Sequence, residues 1–303
     1  MTITGLHLLL TYACNFECEH CFVFGGPQQS GVMTLDRIGE ILDQADELGS
    51  VEWIYFEGGE PFLYYGALVR GVQQAARRGY RVGIVSNAYW ATAPEDARAC
   101  LEPLAGLVQD LSISSDGYHG SEPDGPQTQN ALAAAAGLGI PVGLISIAGP
   151  EASGVAAAAG QIPAGESAVV FRGRAAEKLA HRAGRRDWRT FSECPYEDLR
   201  SPGRVHLDPF GHVHICQGIS LGNLFATPLK AIFADYDPDA HPVTGPLLRG
   251  GPAELARCNG VRCQPGYADA CHLCYATRRA LRGRYPQTLA PGAMYGAASA
   301  GRH

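Results

Sequence analysis

The sequence predicts an α/β fold: a parallel sheet with crossover helices, closed as a barrel or partial barrel, followed by a smaller cysteine-rich unit. Three observations carry this. Apolar runs of strand length alternate with helix-period segments through the first 175 residues. Glycine, proline or a polar residue punctuates nearly every junction. From Phe191 onward the pattern changes to short strands separated by Gly and Pro, and cysteines return.

Taken in order, strands are predicted at 6–12, 51–56, 81–86, 111–115, 140–148 and 168–172. Helices are predicted at 34–48, 64–78, 94–104 and 131–138. The first helix places Leu35, Ile38, Ile41, Leu42, Ala45 and Leu48 on one face behind a Thr34 cap. Gly79 and Gly139 close two of the others. Six βα repeats require right-handed crossovers, and hence a parallel sheet whose chemistry sits on the loops after the strands. The alanine-rich stretch 155–160 reads as a short helix or a loose connection. Beyond 190, short strands are expected at 205–208 and 212–216, a loop at 241–252 and a helix at 275–282. The resulting division is 1–190 for the barrel, 191–285 for the appended unit and 286–303 for a poorly ordered tail.

The formal net charge of −6 argues against nucleic-acid binding as the main function, since phosphate binders present a basic face. No apolar run approaches the roughly 20 residues of a membrane span, and the N-terminus lacks the features of a signal peptide. Ten cysteines, clustered by spacing in such a chain, read as metal ligation in a reducing cytoplasm rather than as disulfides.

Cys14, Cys18 and Cys21 form a C-x3-C-x2-C triplet directly after the first strand, and the next cysteine is Cys100. Three thiolates can wrap one face of a cubane cluster and leave one iron open to a ligand. A zinc knot or three unrelated buried cysteines are the alternatives. Cys194, a Gly211-x4-Cys216 hairpin pattern and a C-x2-C pair, Cys271 and Cys274, make up a later set. Cys258 and Cys263 fall in a Gly/Pro-rich loop as free thiols, a labile pair or alternative ligands. Cys100 reads as a core cysteine.

Further candidates lie at the predicted barrel mouth. Tyr89, Trp90, Tyr118 and His119 either line a substrate pocket, with His119 suited to proton transfer, or pack as ordinary loop residues. Arg172, Arg174, Lys178, Arg182, Arg185, Arg186 and Arg189 form a basic stretch. It suits a solvated linker face, or docking of an acidic electron donor or anionic substrate. His206, His212 and His214 lie on strand patterns, the latter two on one face, where they are placed to tune a metal site.

The triplet, Gly58-Gly59-Glu60-Pro61 after the second strand and the barrel order together resemble the radical S-adenosylmethionine (SAM) superfamily over residues 1–175. The resemblance implies a partial (β/α)6 barrel in which Cys14, Cys18 and Cys21 hold a [4Fe–4S] cluster and SAM chelates the open iron. It implies that Gly58, Gly59 and Glu60 contact the methionine amino group, and that Ser86 and Asn87 face its carboxylate and ribose. Ser114 and Asp116 fall at ribose positions; Ile145, Ile147 and the segment from Phe171 to Ala175, including Arg172, fall where adenine packs. The position before Cys21, usually aromatic, is His20, either a neutral substitution or an adenine contact.

The later cysteines, with Gly173-Arg174-Ala175, resemble a SPASM/twitch extension. This implies that Cys194, Cys216, Cys271 and Cys274 hold one auxiliary [4Fe–4S] cluster, with a zinc ribbon on the same thiolates as the alternative. The implied activity is reductive cleavage of SAM to a 5′-deoxyadenosyl radical that abstracts hydrogen from a peptide or natural-product small molecule. The electron would come from a flavodoxin or ferredoxin. With the first strand starting at residue 6, a peptide substrate would need a separate recognition protein. A non-catalytic SAM- and iron–sulfur-binding redox module is the alternative function, disfavoured because electron transfer alone has no use for a methionine site.

Overall fold

A computed structural model describes residues 1–119, 125–152 and 165–297. The stretch 155–160 and the last residues of the chain lie outside the described residues. The first half runs β1 (Gly5–Thr11), α1 (Leu35–Leu48), β2 (Trp53–Gly58), α2 (Tyr65–Arg77), β3 (Arg81–Ser86), α3 (Pro94–Leu101), β4 (Asp110–Ser114), α4 (Pro126–Gly137) and β5 (Val142–Ile145). Next come α5 (Arg174–Lys178), β6 (Arg186–Asp187), β7 (Arg204–Leu207), β8 (His212–Cys216) and β9 (Ile219–Asn223). The chain continues through α6 (Leu229–Asp235), α7 (Thr244–Cys258), β10 (Gly266–Tyr267) and α8 (Ala270–Leu281).

Eight strands form one sheet in the order β5-β4-β3-β2-β1-β7-β8-β9. Strands β1 to β5 pair in parallel, so the loops that follow them gather at one rim. The mixed α/β architecture with a mostly parallel sheet is the one the sequence predicts. The sixth parallel strand is a different segment from the one expected. Beyond β5, among the described residues, parallel pairing continues only as an isolated bridge between Ile147 and Ser167. The Phe171 amide, in the segment predicted as a strand, instead donates to Asp269 Oδ2 at 3.1 Å. The sixth parallel place is taken by β7, which pairs with β1 on its other side, with Gly5 opposite Arg204 and Leu8 opposite Leu207.

β1 is buried along nearly its whole length, as a central strand covered on both faces requires. On α1 the Thr34 side chain accepts from the Arg37 amide, and Gly49, at φ 66°, closes the helix. Ile38, Ile41, Leu42 and Ala45 face the core, whereas Leu35, expected on the same face, is exposed in the first turn.

The C-terminal part packs into the same molecule. Val205, Leu207, Val213, Ile232 and Phe233 join the core of the first sheet and helices. A second core puts Leu9, Tyr12 and Phe24 against Ile215, Leu247 and Tyr275. α8 starts five residues before the predicted helix because Asp269 caps it, its side chain accepting from the His272 amide at 2.6 Å. α7 spans part of the predicted 241–252 loop, but it breaks at Gly250 and Gly251 and restarts at Pro252, which suits a first helical turn. The segment read as a tail is tied down as far as 297: Leu289, Met294 and Tyr295 are buried, and Tyr295 donates to the Gly218 carbonyl at 2.7 Å. Among the described residues, no helix is long and apolar enough to cross a membrane.

Leu8 on β1 is fully buried, and Leu144 on β5 is exposed. Leu8→Ala is expected to lower unfolding stability by about 3 kcal/mol and Leu144→Ala by less than about 0.5 kcal/mol. Urea unfolding followed by circular dichroism measures both.

Candidate functional site

The loop after β1 carries the cysteine triplet. Its two ends are laced together: the Cys14 amide donates to the Gly26 carbonyl at 3.2 Å, and the Gly26 amide to the Tyr12 carbonyl at 3.3 Å. Cys14, Cys18 and Cys21 all face a cavity of ≈ 280 Å³ at the rim of the sheet. Burial pushes the Cys14 thiol up to about 12, with the nearby Glu60 and Cys21 charges adding to the effect. Burial and the neighbouring sulfurs raise Cys18 as well. Such a set becomes thiolate only where a cation compensates it. Three thiols in one loop facing a common space can hold such a centre.

Arg174 locks this loop from behind. Its guanidinium donates to the Cys18 carbonyl at 2.7 Å and to the Gly25 carbonyl at 2.8 Å, and its amide to the Cys21 carbonyl at 2.9 Å. Gly173, at φ 60°, allows that approach, since a Cβ there would lie 2.5 Å from the Phe22 carbonyl oxygen. Sequence reading placed Arg174 in a motif but not in this role.

The loop after β2 meets the loop after β1 backbone to backbone. Gly59 donates to the Thr11 carbonyl at 2.7 Å and Glu60 to the Ala13 carbonyl at 2.9 Å. Gly58 and Gly59 line the cavity. Glu60 does not. Its fully buried carboxylate accepts from the Phe62 amide at 3.0 Å, the Ser86 hydroxyl at 2.9 Å and the Asn87 amide at 2.8 Å. Burial raises Glu60 to about 7 despite these donors. Ser86 and Asn87 line the cavity, and Asn87 Nδ2 reaches the Cys14 sulfur at 3.7 Å. Trp90 stacks on Phe62 and donates to Ser86 Oγ at 2.9 Å, and Tyr89 reaches the Phe62 carbonyl; neither lines the cavity.

From β4, Ser114 lines the cavity, whereas Asp116 is buried beside it. Asp116 Oδ1 lies 2.7 Å from His119 Nδ1, and Oδ2 lies 3.5 Å from His20 Nε2. Burial works against ionisation of Asp116, but these two imidazoles outweigh it and hold the carboxyl well below the usual range. His20 stacks on Tyr118 at 4.7 Å, and both His20 and His119 line the cavity. Ile145, Ile147, Val169 and Val170 supply an apolar wall, and Arg172 closes it.

Arg172 also borders a second, smaller cavity, around which Cys194, Cys216, Cys271 and Cys274 all gather. Cys271 and Cys274 sit one turn apart at the start of α8, where the helix dipole favours negative charge. Arg278, one turn further on, is fully buried against the same cavity, and the Cys274 and Cys216 sulfurs help to raise its pKa although burial opposes this. Its spacing of four from Cys274 was the available sequence signal. Cys258 and Cys263 do not line this cavity. Cys258 is exposed at the end of α7, and Cys100 packs from α3 against the main core. His212 and His214 do not line it either; His214 is buried against Asp208. The basic stretch divides, with Arg172 and Arg174 turned inward and Lys178, Arg182, Arg185, Arg186 and Arg189 exposed.

The sequence profile of the Radical SAM superfamily matches residues 8–150, the segment that builds β1 to β5 and the first cavity. This segment belongs to the radical SAM superfamily. It is 35% identical over 83 residues, 27% of the chain and 23% of the relative, to a tungsten-containing aldehyde ferredoxin oxidoreductase cofactor-modifying protein of Pyrococcus furiosus. It is 27% identical over 107 residues, 35% of the chain and 34% of the relative, to YydG of Bacillus subtilis, a protein assigned to peptide biosynthesis. The chain spans between 23% and 34% of the length of the curated relatives it matches. Among solved structures, SuiB of Streptococcus suis bound to its precursor peptide SuiA aligns with a TM-score of 0.44 and 12% identity, over 78% of this chain and 65% of that one.

Two predictions follow from this geometry for a radical SAM chain. Arg174→Ala removes the clamp on the cysteine loop, so iron bound at the first site is expected to fall about tenfold, read by iron and sulfide analysis. Glu60 titrates at about 7 when folded and near 4.5 otherwise, so the native state holds its proton more tightly. Its contribution is therefore present below pH 4.5 and is lost as pH rises through 7. Relative to Glu60→Gln, the wild type is expected to lose on the order of 3 kcal/mol across that window, measured by chemical unfolding at stepped pH.

Proposed function

We propose that the protein is a radical SAM enzyme that binds SAM in the first cavity, over a [4Fe–4S] cluster carried by Cys14, Cys18 and Cys21. One observation carries the reading: the three thiols, the Gly58–Gly59 backbone, Ser86, Asn87, Ser114 and an apolar wall all face one cavity. When bound, the cluster supplies the electron that breaks the sulfonium C–S bond, giving methionine and a 5′-deoxyadenosyl radical that abstracts hydrogen from the substrate. The chain's own residues hold and orient. The thiols of Cys14, Cys18 and Cys21 would hold the cluster, and the rest of the cavity would take SAM. Hydroxyl and amide groups at the ends of β3 and β4 meet its polar end, and Ile145, Ile147 and Val169 offer an apolar face for adenine. The walls exclude water from the reacting centre. Glu60 and Asp116 are positioning residues: Glu60 fixes Ser86 and Asn87 from behind, and Asp116 fixes His20 and His119.

The second cavity fits an auxiliary [4Fe–4S] cluster on Cys194, Cys216, Cys271 and Cys274, in a SPASM/twitch-like unit over 191–285 appended to a barrel over 1–190. Zinc at about 2.3 Å would draw its thiolates to roughly 3.8 Å apart. Among the described residues, the groups whose ligand atoms close to within 4.8 Å of one another include neither cysteine set, so neither is drawn in to zinc spacing. The buried cations Arg172 and Arg278 offset the charge of such a site. The substrate class we favour is a peptide or peptide-derived natural product, supported by the assignment of the Bacillus relative to peptide biosynthesis. The exposed basic residues from Lys178 to Arg189 suit an acidic flavodoxin or ferredoxin as electron donor, in the reducing cytoplasm.

Anaerobically reconstituted protein, given SAM and dithionite, is expected to form 5′-deoxyadenosine, and Cys18→Ala to form none. Iron should be about eight per chain, and about four in a Cys194→Ser/Cys271→Ser variant that still cleaves SAM. Absence of 5′-deoxyadenosine from protein carrying about four irons at the first site would sink the reading in favour of a non-catalytic module.

A further inference from the structure

His7, Glu57 and His206 face one another on one side of the sheet, where Glu57 reaches the wall of the first cavity. His7 on β1 stands opposite His206 on β7, and Glu57 lies on β2 beside Leu9, two positions further towards the rim. The period of two along a strand puts all three on one face. They come from positions 7, 57 and 206, so no local motif announces them. Their ligand atoms all lie within 4.8 Å of one another, and each side chain is largely buried. His7 is held in orientation by stacking on Tyr55 at 4.6 Å and 12°.

The contacts within the group are long for charge-assisted hydrogen bonds, and one carboxylate oxygen is left unpaired. A charge-assisted N–H···O bond closes to about 2.7–2.9 Å. The His119–Asp116 pair in this same protein does so, at 2.7 Å. In the His7–Glu57–His206 group the contacts stand off: His7 Nδ1 is 3.3 Å from Glu57 Oε2, and His206 Nε2 is 3.2 Å from Glu57 Oε1. Glu57 Oε1 is buried and has no hydrogen-bond partner. A tetrahedral zinc ion with ligands at 2.0–2.1 Å spaces those ligands at about 3.3–3.4 Å; here each imidazole meets its own carboxylate oxygen, and one ligand atom from each residue lies within 4.8 Å of the other two, so closing on one ion takes a small rotation of these side chains. An octahedral ion with similar bond lengths would space neighbouring ligands at about 3.0 Å.

We propose that His7, Glu57 and His206 form a binding site for one divalent transition-metal ion, for which zinc serves as the probe. Two neutral imidazoles and one carboxylate leave a fourth position open, as in catalytic rather than structural zinc sites. Glu57 lies on the wall of the first cavity, and His7 lines a further cavity of ≈ 240 Å³ at the opposite end of the strands. The open position would take a carboxylate or carbonyl oxygen of a substrate lying between them. Only that last step rests on the reading of the first cavity as the reaction site; the metal site stands without it.

The test is metal analysis of the full chain with its iron–sulfur sites reconstituted, loaded with zinc and dialysed. About one zinc per chain is expected, falling about tenfold or more in Glu57→Gln and in His206→Gln while iron and sulfide stay unchanged. The Cys194→Ser/Cys271→Ser variant should keep its zinc. Zinc that is lost with the cysteines, or that stays at wild-type level in both triad variants, overturns the proposal. So does failure of the wild type to retain zinc. Should the variants misfold, zinc K-edge absorption on the wild type decides: nitrogen and oxygen ligands at about 2.0–2.1 Å with imidazole scattering support the site, and sulfur at about 2.3 Å overturns it. These readouts do not depend on whether SAM is cleaved.

Discussion

The first cavity depends on two loops meeting backbone to backbone. A Cβ on Gly59 would lie 2.1 Å from the Ala13 carbonyl oxygen, and one on Gly58 would lie 2.4 Å from that of Thr11. Backbone cannot yield at such distances, so only glycine lets the loop after β2 close on the loop after β1. The same absence of side chains leaves bare peptide groups on the cavity wall. The two glycines therefore have a packing reason and a binding reason at once, and neither can be changed without the other. Gly173 repeats the device on the far side of the cysteine loop, where it admits Arg174.

Around this contact, polar groups are fixed from behind rather than aimed at a ligand. Glu60 spends both carboxylate oxygens on Ser86, Asn87 and the Phe62 amide, and Trp90 adds a donor to Ser86. Asp116 does the same for His119 and His20. A carboxylate whose hydrogen bonds are made inside the protein is turned towards those partners. It holds the next group at a set angle, and so reduces the ordering cost when a ligand arrives. Sequence reading put Glu60 and Asp116 on the ligand side because motif position gives proximity and says nothing of orientation.

The parts that were legible are those decided locally. The α1 face and its Thr34 cap, the bounds of β3 and the C-x3-C-x2-C spacing each depend on residues a few positions apart. The parts that were not legible depend on distant partners. The stretch 168–172 has the composition of a strand, yet Phe171 is bonded by Asp269, 98 positions away. The place it would have filled goes to β7, paired with β1 across about 200 residues of chain. Arg174, Glu57 and Arg278 owe their roles to residues brought to them by that topology, and periodicity carries no information about such encounters. The gathering of Cys194, Cys216, Cys271 and Cys274 was readable only because cysteine has few other uses in a chain of this kind.

Arg172 joins the two halves of the molecule electrostatically. It lies on the wall of both cavities, with its guanidinium 3.2 Å from Glu197, 3.9 Å from the Cys216 sulfur and 5.2 Å over the Phe22 ring, next to Cys21. The nearby sulfurs and Glu197 raise its pKa although burial works against the charge, so it stays cationic between two thiol-lined spaces. In such a low-dielectric setting a fixed charge acts across several ångströms with little screening. Charge gained at one cysteine set therefore changes how strongly Arg172 stabilises negative charge at the other. Arg172 is common to the walls of both cavities, so a change of charge at either one acts on the same cation.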